Sequence, residues 1–298
     1  MEEGDGMRSL GYYNGEIGVL EEMRIPMNDR ACWFGDGVYD AHLCRNYNIY
    51  ALDEHIDRFY NSAALIDIRM PMKKESLKKL LMELVRNLDT GDLFVYYQVT
   101  RGTADREHTY PDVPANLWVT IRPTELDYEI GPIKLITMED TRFYHCNIKT
   151  LNLLPSVLAA EKAKKEGCEE AVFYRPGGRI TECSHSNIHI IKHQTLITAP
   201  ADNLILPGIT RSHLINLCLK NGIAVSEVPY TLDELYSADE VIVTSSSNIF
   251  RVVGEIDGMP VGGKAPELIS FLAHKMIDEF IQSTDRKSDI YRSGYGYD

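Results

Sequence analysis

The chain has 298 residues, 44% of them hydrophobic and 25% charged, with 31 basic against 44 acidic side chains and a formal charge of −13. That length accommodates two modest domains, each with its own core, and the acidic balance argues against nucleic acid or an anionic membrane as a general partner. No apolar run approaches the ~18 residues of a membrane span, MEEGDGMRSL lacks the basic-then-apolar order of a secretory signal, and the six cysteines are scattered without a C-x-x-C pair, so a cytoplasmic protein with reduced thiols is expected.

GYYNGEIGV and NYNIYAL each carry a turn signal, Asn14-Gly15 and Asn46, between apolar stretches, as hairpins do. From Leu52 the period changes, because Leu52, Ile56, Phe59, Ala63 and Ile66 share one helical face. Leu77, Leu80, Leu81, Leu84 and Leu88 mark a second amphipathic helix, and DLFVYYQVT and ANLWVTIR read as buried strands rich in β-branched and aromatic residues. RPTELDYEIGP is polar and punctuated by proline and glycine, which suits an interdomain linker. Beyond it the pattern predicts a strand IKLITM, a helix SVLAAEKAKKEG stopped by Gly167, and a strand pair about the turn Pro176 to Gly178. A strand NIHIIK, a helix from Thr210 to Gly222, further strands and a last helix from about Pro266 follow, before a polar tail expected to be disordered. The expected organisation is a small N-terminal α+β domain over residues 1–122, a linker over 123–132, a larger domain over 133–283 and a tail over 284–298.

Several side chains suit anion or amine chemistry. Lys149, in HCNIKTLNLLPSVLAA, has apolar neighbours and precedes a helix, and both features disfavour a positive charge on its amine; a solvated surface lysine is the ordinary alternative. GITRSHLINL places Thr210 as the cap of a helix whose first N–H groups suit a phosphate. Ser245 to Ser247 follow the strand EVIVT and offer hydroxyls, and Glu182 follows another strand. Arg106 and His108, two apart in a polar loop, could grip a carboxylate. Each of these has a commonplace structural explanation when taken alone. GMPVGGKA approaches a P-loop but lacks its hydroxyl, and Asp257-Gly258 reads as a hairpin turn. His185, His189 and His193 recur every four residues, yet on a strand such positions lie about 13 Å apart, too far for one zinc ion.

The motifs WFGDGVYD, EHIDRFYNSA, YQVTRGTADREHTYP, NIKTLNLLPSVLA, EEAVFY with RITECSHSN, PADNLILPGITR and VTSSSN occur in this order over nearly the whole chain. Together they resemble the class-IV aminotransferases, the fold type IV pyridoxal-phosphate enzymes, and within them the branch acting on D-amino acids. The resemblance implies an α+β, two-domain fold whose larger domain has a mixed, barrel-like sheet. It implies pyridoxal 5'-phosphate as cofactor, with Lys149 as the Schiff-base lysine and Glu182 facing the pyridine nitrogen. Arg58, Ile209, Thr210 and Ser246 are then phosphate ligands, and Leu206 packs on the ring. Tyr39, with Arg106 and His108 contributed by the partner of a homodimer, forms the trap for the substrate carboxylate. The implied reaction is transamination of D-alanine with 2-oxoglutarate. Branched-chain L-amino-acid aminotransferases and aminodeoxychorismate lyases share the lysine and phosphate motifs, and the Arg106 to His108 triplet favours the D-specific branch. A protein that only binds the cofactor would need no ring-protonating acid. The chain departs from the pattern at His185 and His189, and NIFRVV after VTSSS puts Ile249 and Arg251 where the substrate side-chain pocket is expected.

Overall fold

Alternating apolar residues and tight turns in the first third build a six-stranded antiparallel sheet with two helices on one face. The structure, a computed structural model, describes residues 9–285. The first third contains β1 (Leu10–Tyr13), β2 (Glu16–Val19), the short α1 (Arg30–Phe34), β3 (Gly37–Arg45), β4 (Asn48–Ile49), α2 (Leu52–Leu65), α3 (Lys74–Val85), β5 (Leu93–Thr100) and β6 (Asn116–Pro123). The strand order is β2-β1-β6-β5-β3-β4. Both expected hairpins form, with Asn14 and Asn46 at positive φ in their turns. The face of α2 carrying Ile56, Phe59 and Ala63 is fully buried against Val38, Val95 and Tyr97 of the sheet and Leu77 and Leu81 of α3. Each such large side chain contributes about 1.5–3 kcal/mol of transfer free energy.

The rest of the chain forms β7 (Ile133–Glu139), α4 (Leu154–Lys165), β8 (Glu170–Arg175), β9 (Arg179–Cys183), β10 (Asn187–Lys192), β11 (Thr195–Thr198), α5 (Ile209–Lys220), β12 (Ala224–Glu227), α6 (Leu232–Tyr236), β13 (Glu240–Thr244), β14 (Arg251–Ile256), β15 (Met259–Pro260) and α7 (Pro266–Thr284). Its nine strands make one mixed sheet in the order β12-β11-β10-β13-β14-β7-β8-β9, with β15 paired to β14. The tight turn at residues 184–186 returns the edge strand β9 against β10, so the sheet curls on itself, which gives the barrel-like core that the resemblance implied. Asp257-Gly258 closes the β14–β15 hairpin, and Lys264 is spent on the carbonyls of Ser237 and Ala238.

Three expectations are displaced. Helix α4 begins at Leu154, two residues before the expected start at Ser156, and Lys149 precedes it as expected. The N-cap of α5 is Gly208, and Thr210 sits inside the first turn with its hydroxyl making no cap bond. At the C-terminus, α7 runs through Thr284, one residue into the expected tail, and the remainder of that tail from 286 lies outside the described residues. Residues 124–132 form no regular element, yet they are packed. Arg251 donates to Asp127 Oδ2 at 3.0 Å and to the Glu129 carbonyl at 2.8 Å, while Leu126 and Ile130 pack against the core beside α7.

Candidate active site

A cavity of about 340 Å³ opens where the two sheets face each other, a size ordinary for a small-molecule site. Tyr39 and Ala41 of β3 and Arg58 of α2 line it from one side. Glu182 of β9, Leu206 and Gly208 to Thr210 at the start of α5, and Thr244 to Ser247 at the end of β13 and just after it line the other. Lys149 lies between them. Of the residues nominated from sequence, Tyr39, Arg58, Lys149, Glu182, Leu206, Ile209, Thr210 and Ser246 all reach this one cavity.

The backbone of Lys149 is fixed by the edge of the first sheet. Its carbonyl accepts from the Tyr39 N–H at 3.0 Å, its own N–H donates to Ser62 Oγ at 3.3 Å, and Thr150 bridges Val38. The side chain is half-buried, and Nζ stands 4.3 Å from the centroid of the Tyr39 ring, which itself stacks on Tyr96. Hence the amine is presented by a rigid stretch and rests on an aromatic face.

Glu182 closes one end. Its Oε1 accepts from Arg142 Nη1 at 2.5 Å, and its Oε2 accepts from Asn187 Nδ2 at 3.1 Å and the Leu206 N–H at 3.0 Å. Burial raises the pKa of this carboxyl, while Arg142, the Leu206 amide and Lys149 act in the opposite sense. Arg142 is held in turn by Asp140, at 3.0 Å to its Nε and 2.9 Å to its Nη2. Asn187 sits so close to the α5 start that a Cβ on Gly208 would land on its Oδ1, so glycine is required at that position.

The opposite end is rich in donors. The first-turn N–H groups of α5 have no intrahelical acceptor, and the hydroxyl of Thr210 is buried and without a partner among the described residues. Arg58 is buried against the fully buried Asp40, with Nε to Oδ2 at 2.9 Å and Nη2 to Oδ1 at 2.7 Å. Its Nη1 reaches only the Pro207 carbonyl, at 3.4 Å. Burial works against the Asp40 anion, but Arg58 and His55 outweigh it and hold the carboxyl well below the usual range. Ser246 adds a half-buried hydroxyl.

Arg106 and His108 lie elsewhere. They are exposed on the loop between β5 and β6, stacked about Phe34 at 5.2 and 5.3 Å, and line no part of this chain's cavity. His185 does line the cavity, beside the buried Glu170. By contrast, His189 is a core group whose nitrogens face Thr198 and Thr244 hydroxyls, each at 2.9 Å, and burial with nearby Arg211 pushes its pKa down to about 3. Ile249 is buried in the core beside α7, and Arg251 binds the 124–132 segment, so neither faces the cavity.

A family model for amino-transferase class IV matches residues 37–256, which span every one of these cavity groups. The chain belongs to the class IV aminotransferases. It is 42% identical over 281 residues to a D-alanine aminotransferase of Listeria monocytogenes serotype 4b (strain F2365), covering 91% of this chain and 96% of that one. A D-alanine aminotransferase of Bacillus licheniformis is 39% identical over 259 residues, covering 85% and 90%. Among solved structures, a branched-chain amino acid aminotransferase from T.th., complexed with N-(5'-phosphopyridoxyl)-L-glutamate, is 26% identical with a TM-score of 0.83, covering 93% of this chain and 95% of that one. The branched-chain enzyme of Escherichia coli, 21% identical at a TM-score of 0.85 with 94% and 97% covered, shares the class IV fold.

Sequence reasoning missed Arg142, Asp140, Asn187, Asp40 and His55 as supports of this class IV site. Asp40 and His42 had a signal. They stand two apart, on one face of the otherwise apolar strand GVYDAHLC, and both are fully buried. A charged group on the core face of a strand requires partners, and Asp40 finds them in Arg58 and His55.

Proposed function

We propose that the chain is a pyridoxal 5'-phosphate-dependent transaminase of D-amino acids, exchanging the amino group of D-alanine with 2-oxoglutarate to give pyruvate and D-glutamate. The observation that carries this reading is the convergence in one cavity of a positioned lysine, a buried carboxylate at one end and an anion cradle at the other. The 42% identity to a D-alanine aminotransferase over nearly the whole chain supports the substrate class.

The residues present fit the cofactor. Buried Thr210 Oγ1 lacks a partner and Arg58 Nη1 has only a long contact, so a phosphate would satisfy both. Bound pyridoxal phosphate supplies an aldehyde that condenses with amines and a protonated ring that accepts the electrons left when Cα loses its proton. Arg58, the Ile209 N–H, Thr210 Oγ1 and Ser246 Oγ hold the phosphate. Glu182, where Arg142 opposes the effect of burial, would face the ring nitrogen and favour its protonation. Leu206 would pack on the ring. Lys149 Nζ would be the amine that holds the cofactor's aldehyde and, once free, the base and then the acid that moves the substrate's Cα proton. Tyr39, in contact with Nζ, forms one wall of the substrate site.

The carboxylate trap requires a second copy of the chain, because Arg106 and His108 cannot serve the cavity of their own subunit. Leu154, Val157 and Leu158 on α4 are 68%, 58% and 61% exposed and give a homodimer apolar surface to bury. Arg106→Ala is expected to raise KM for D-alanine by ~10–100-fold, the loss of a charged hydrogen bond worth about 1.5–3 kcal/mol, with a smaller effect on kcat. Steady-state kinetics decide this, and unchanged KM dismisses the trap. The cytoplasm suits the six unpaired cysteines, and no described helix is long and apolar enough to cross a membrane. A division at residues 1–122, 123–132 and 133–283 is supported by the two separate sheets, although β6 extends through Pro123, one residue into the proposed linker.

The test of function is the half-reaction with a panel of D- and L-amino acids, read by keto-acid release. D-alanine is expected to react and L-leucine not. Turnover of L-leucine alone would move the chain to the branched-chain class.

A further inference from the structure

Behind the anion cradle lies a buried polar network that the transamination mechanism does not use. We infer that His55 is a proton-coupled positioning residue of the cradle, linking buried Asp40 to Ser246 and taking up a proton from solvent when a phosphate group is bound. This rests on the phosphate-binding reading given above.

The geometry fixes one nitrogen of His55 and leaves the other free. Its side chain is completely buried, and Nδ1 lies 2.7 Å from Asp40 Oδ1. A carboxylate can only accept, so Nδ1 carries a hydrogen. The same carboxylate also accepts from Arg58 Nε, Arg58 Nη2 and the Ala41 N–H. Asp40 thereby orients two groups of the cradle at once, Arg58 directly and Ser246 through the imidazole. The far nitrogen, Nε2, faces Ser246 Oγ at 3.5 Å, and its protonation state is the one remaining freedom.

That freedom governs the Ser246 hydroxyl. With Nε2 unprotonated, the only way to make the 3.5 Å contact is for the serine hydroxyl to donate to His55. Its hydrogen is then turned away from the cavity. The dianion of a phosphate monoester offers only acceptors, so it demands that hydrogen for itself. Both contacts survive only if Nε2 gains a proton and donates to Oγ, while Oγ donates to the phosphate. The chain then runs from Asp40 through His55 and Ser246 to the anion with every donor matched to an acceptor.

The charges around His55 agree. Asp40 and His42 face it from β3, Arg58 from its own helix with Nη2 at 3.3 Å from Nδ1, Lys149 from the segment before α4, and Ser246 from the loop after β13. Burial lowers the His55 pKa; Asp40 opposes this, while Arg58 and Lys149 add to it. Without a bound anion the ring is therefore neutral near pH 7. A bound dianion offsets Arg58 and Lys149 and reverses that balance. His42, with its ring 4.6 Å away, is fully buried and is held neutral by burial and by His55, so it neither competes for the proton nor repels it.

Calorimetric titration of the full chain, freed of cofactor, with methyl phosphate, a monoester dianion at pH 8, in buffers of different ionisation enthalpy counts the protons bound per phosphate. Wild-type protein is expected to take up close to one proton, and its Kd to weaken by up to about tenfold per pH unit above that pH. In His55→Gln, which keeps a donor for Asp40, and in Ser246→Ala, which leaves the Asp40–Arg58 pair intact, the uptake is expected to vanish. Retention of the wild-type proton count in either variant overturns the inference. Should His55→Gln not fold, Ser246→Ala decides alone. Methyl phosphate that fails to bind wild-type protein removes the cradle reading itself, an outcome distinct from binding without proton uptake.

Discussion

Replacing Lys149 by alanine is expected to lower the rate of the D-alanine half-reaction roughly 10⁴-fold, the upper end of what a positioned general acid–base contributes. The fold should survive. The backbone here is held by its own bonds to Tyr39, Ser62 and Val38, none of which involves the amine. Nζ makes no hydrogen bond to a protein carboxylate among the described residues, and it rests on the face of Tyr39 at 4.3 Å. Truncation therefore leaves no buried charge unpaired, and a thermal melt close to that of the parent should accompany the lost rate. The cradle around Arg58 and Thr210 remains, so the variant is expected still to retain cofactor, now released by mild denaturation without prior chemical cleavage. A variant that kept its full rate would remove Lys149 from the mechanism, and borohydride reduction attaching the cofactor to another residue would relocate the site.

The second large effect is expected at Glu182. Both of its oxygens are fully engaged by donors: Arg142 on one, Asn187 and Leu206 on the other. Glutamine has one acceptor oxygen and one amide nitrogen, so whichever way it turns, a donor meets a donor inside the core. The negative charge that would hold the ring nitrogen protonated is also lost. Glu182→Gln is expected to slow the half-reaction by about 10²–10³-fold, comparable to removing one preorganised electrostatic contact. An unsatisfied buried donor should also cost about 1–3 kcal/mol of stability. Rapid-mixing kinetics and denaturant unfolding measure the two effects separately. A normal rate combined with lowered stability would make Glu182 a purely structural carboxylate, and the ring-nitrogen role would fall.

Arg142 sets the charge of this acid. Burial alone would favour a protonated, neutral Glu182, which could not stabilise a positive ring nitrogen. Arg142, doubly fastened by Asp140, opposes that tendency. The acid named from sequence is therefore only half of a buried pair, and its partner lies 40 positions earlier in the chain.

Several features were legible in the sequence because their causes are local. The period-2 and period-3.6 patterns located the strands of the first sheet and the face of α2. Turn chemistry located the hairpins at Asn14-Gly15 and Asp257-Gly258. Ordered motifs, taken as a set, identified the family and the eight cavity residues that tertiary folding then gathers. Helix starts were read less well. Thr210 is a good capping residue by type, but the cap is Gly208, where a side chain would collide with Asn187, and Asn187 is brought there from β10 by the tertiary fold.

By itself, then, the sequence determined which side chains are available and which short segments are helix or strand, since propensity and periodicity act between near neighbours. Only the tertiary structure decided that Arg58 leans on Asp40, that Glu182 leans on Arg142, that Thr210 is left buried without a partner, and that Arg106 and His108 face away from their own cavity. Charge and burial at those positions depend on which strands lie side by side and how far the second sheet curls, and these are set by contacts between residues far apart along the chain.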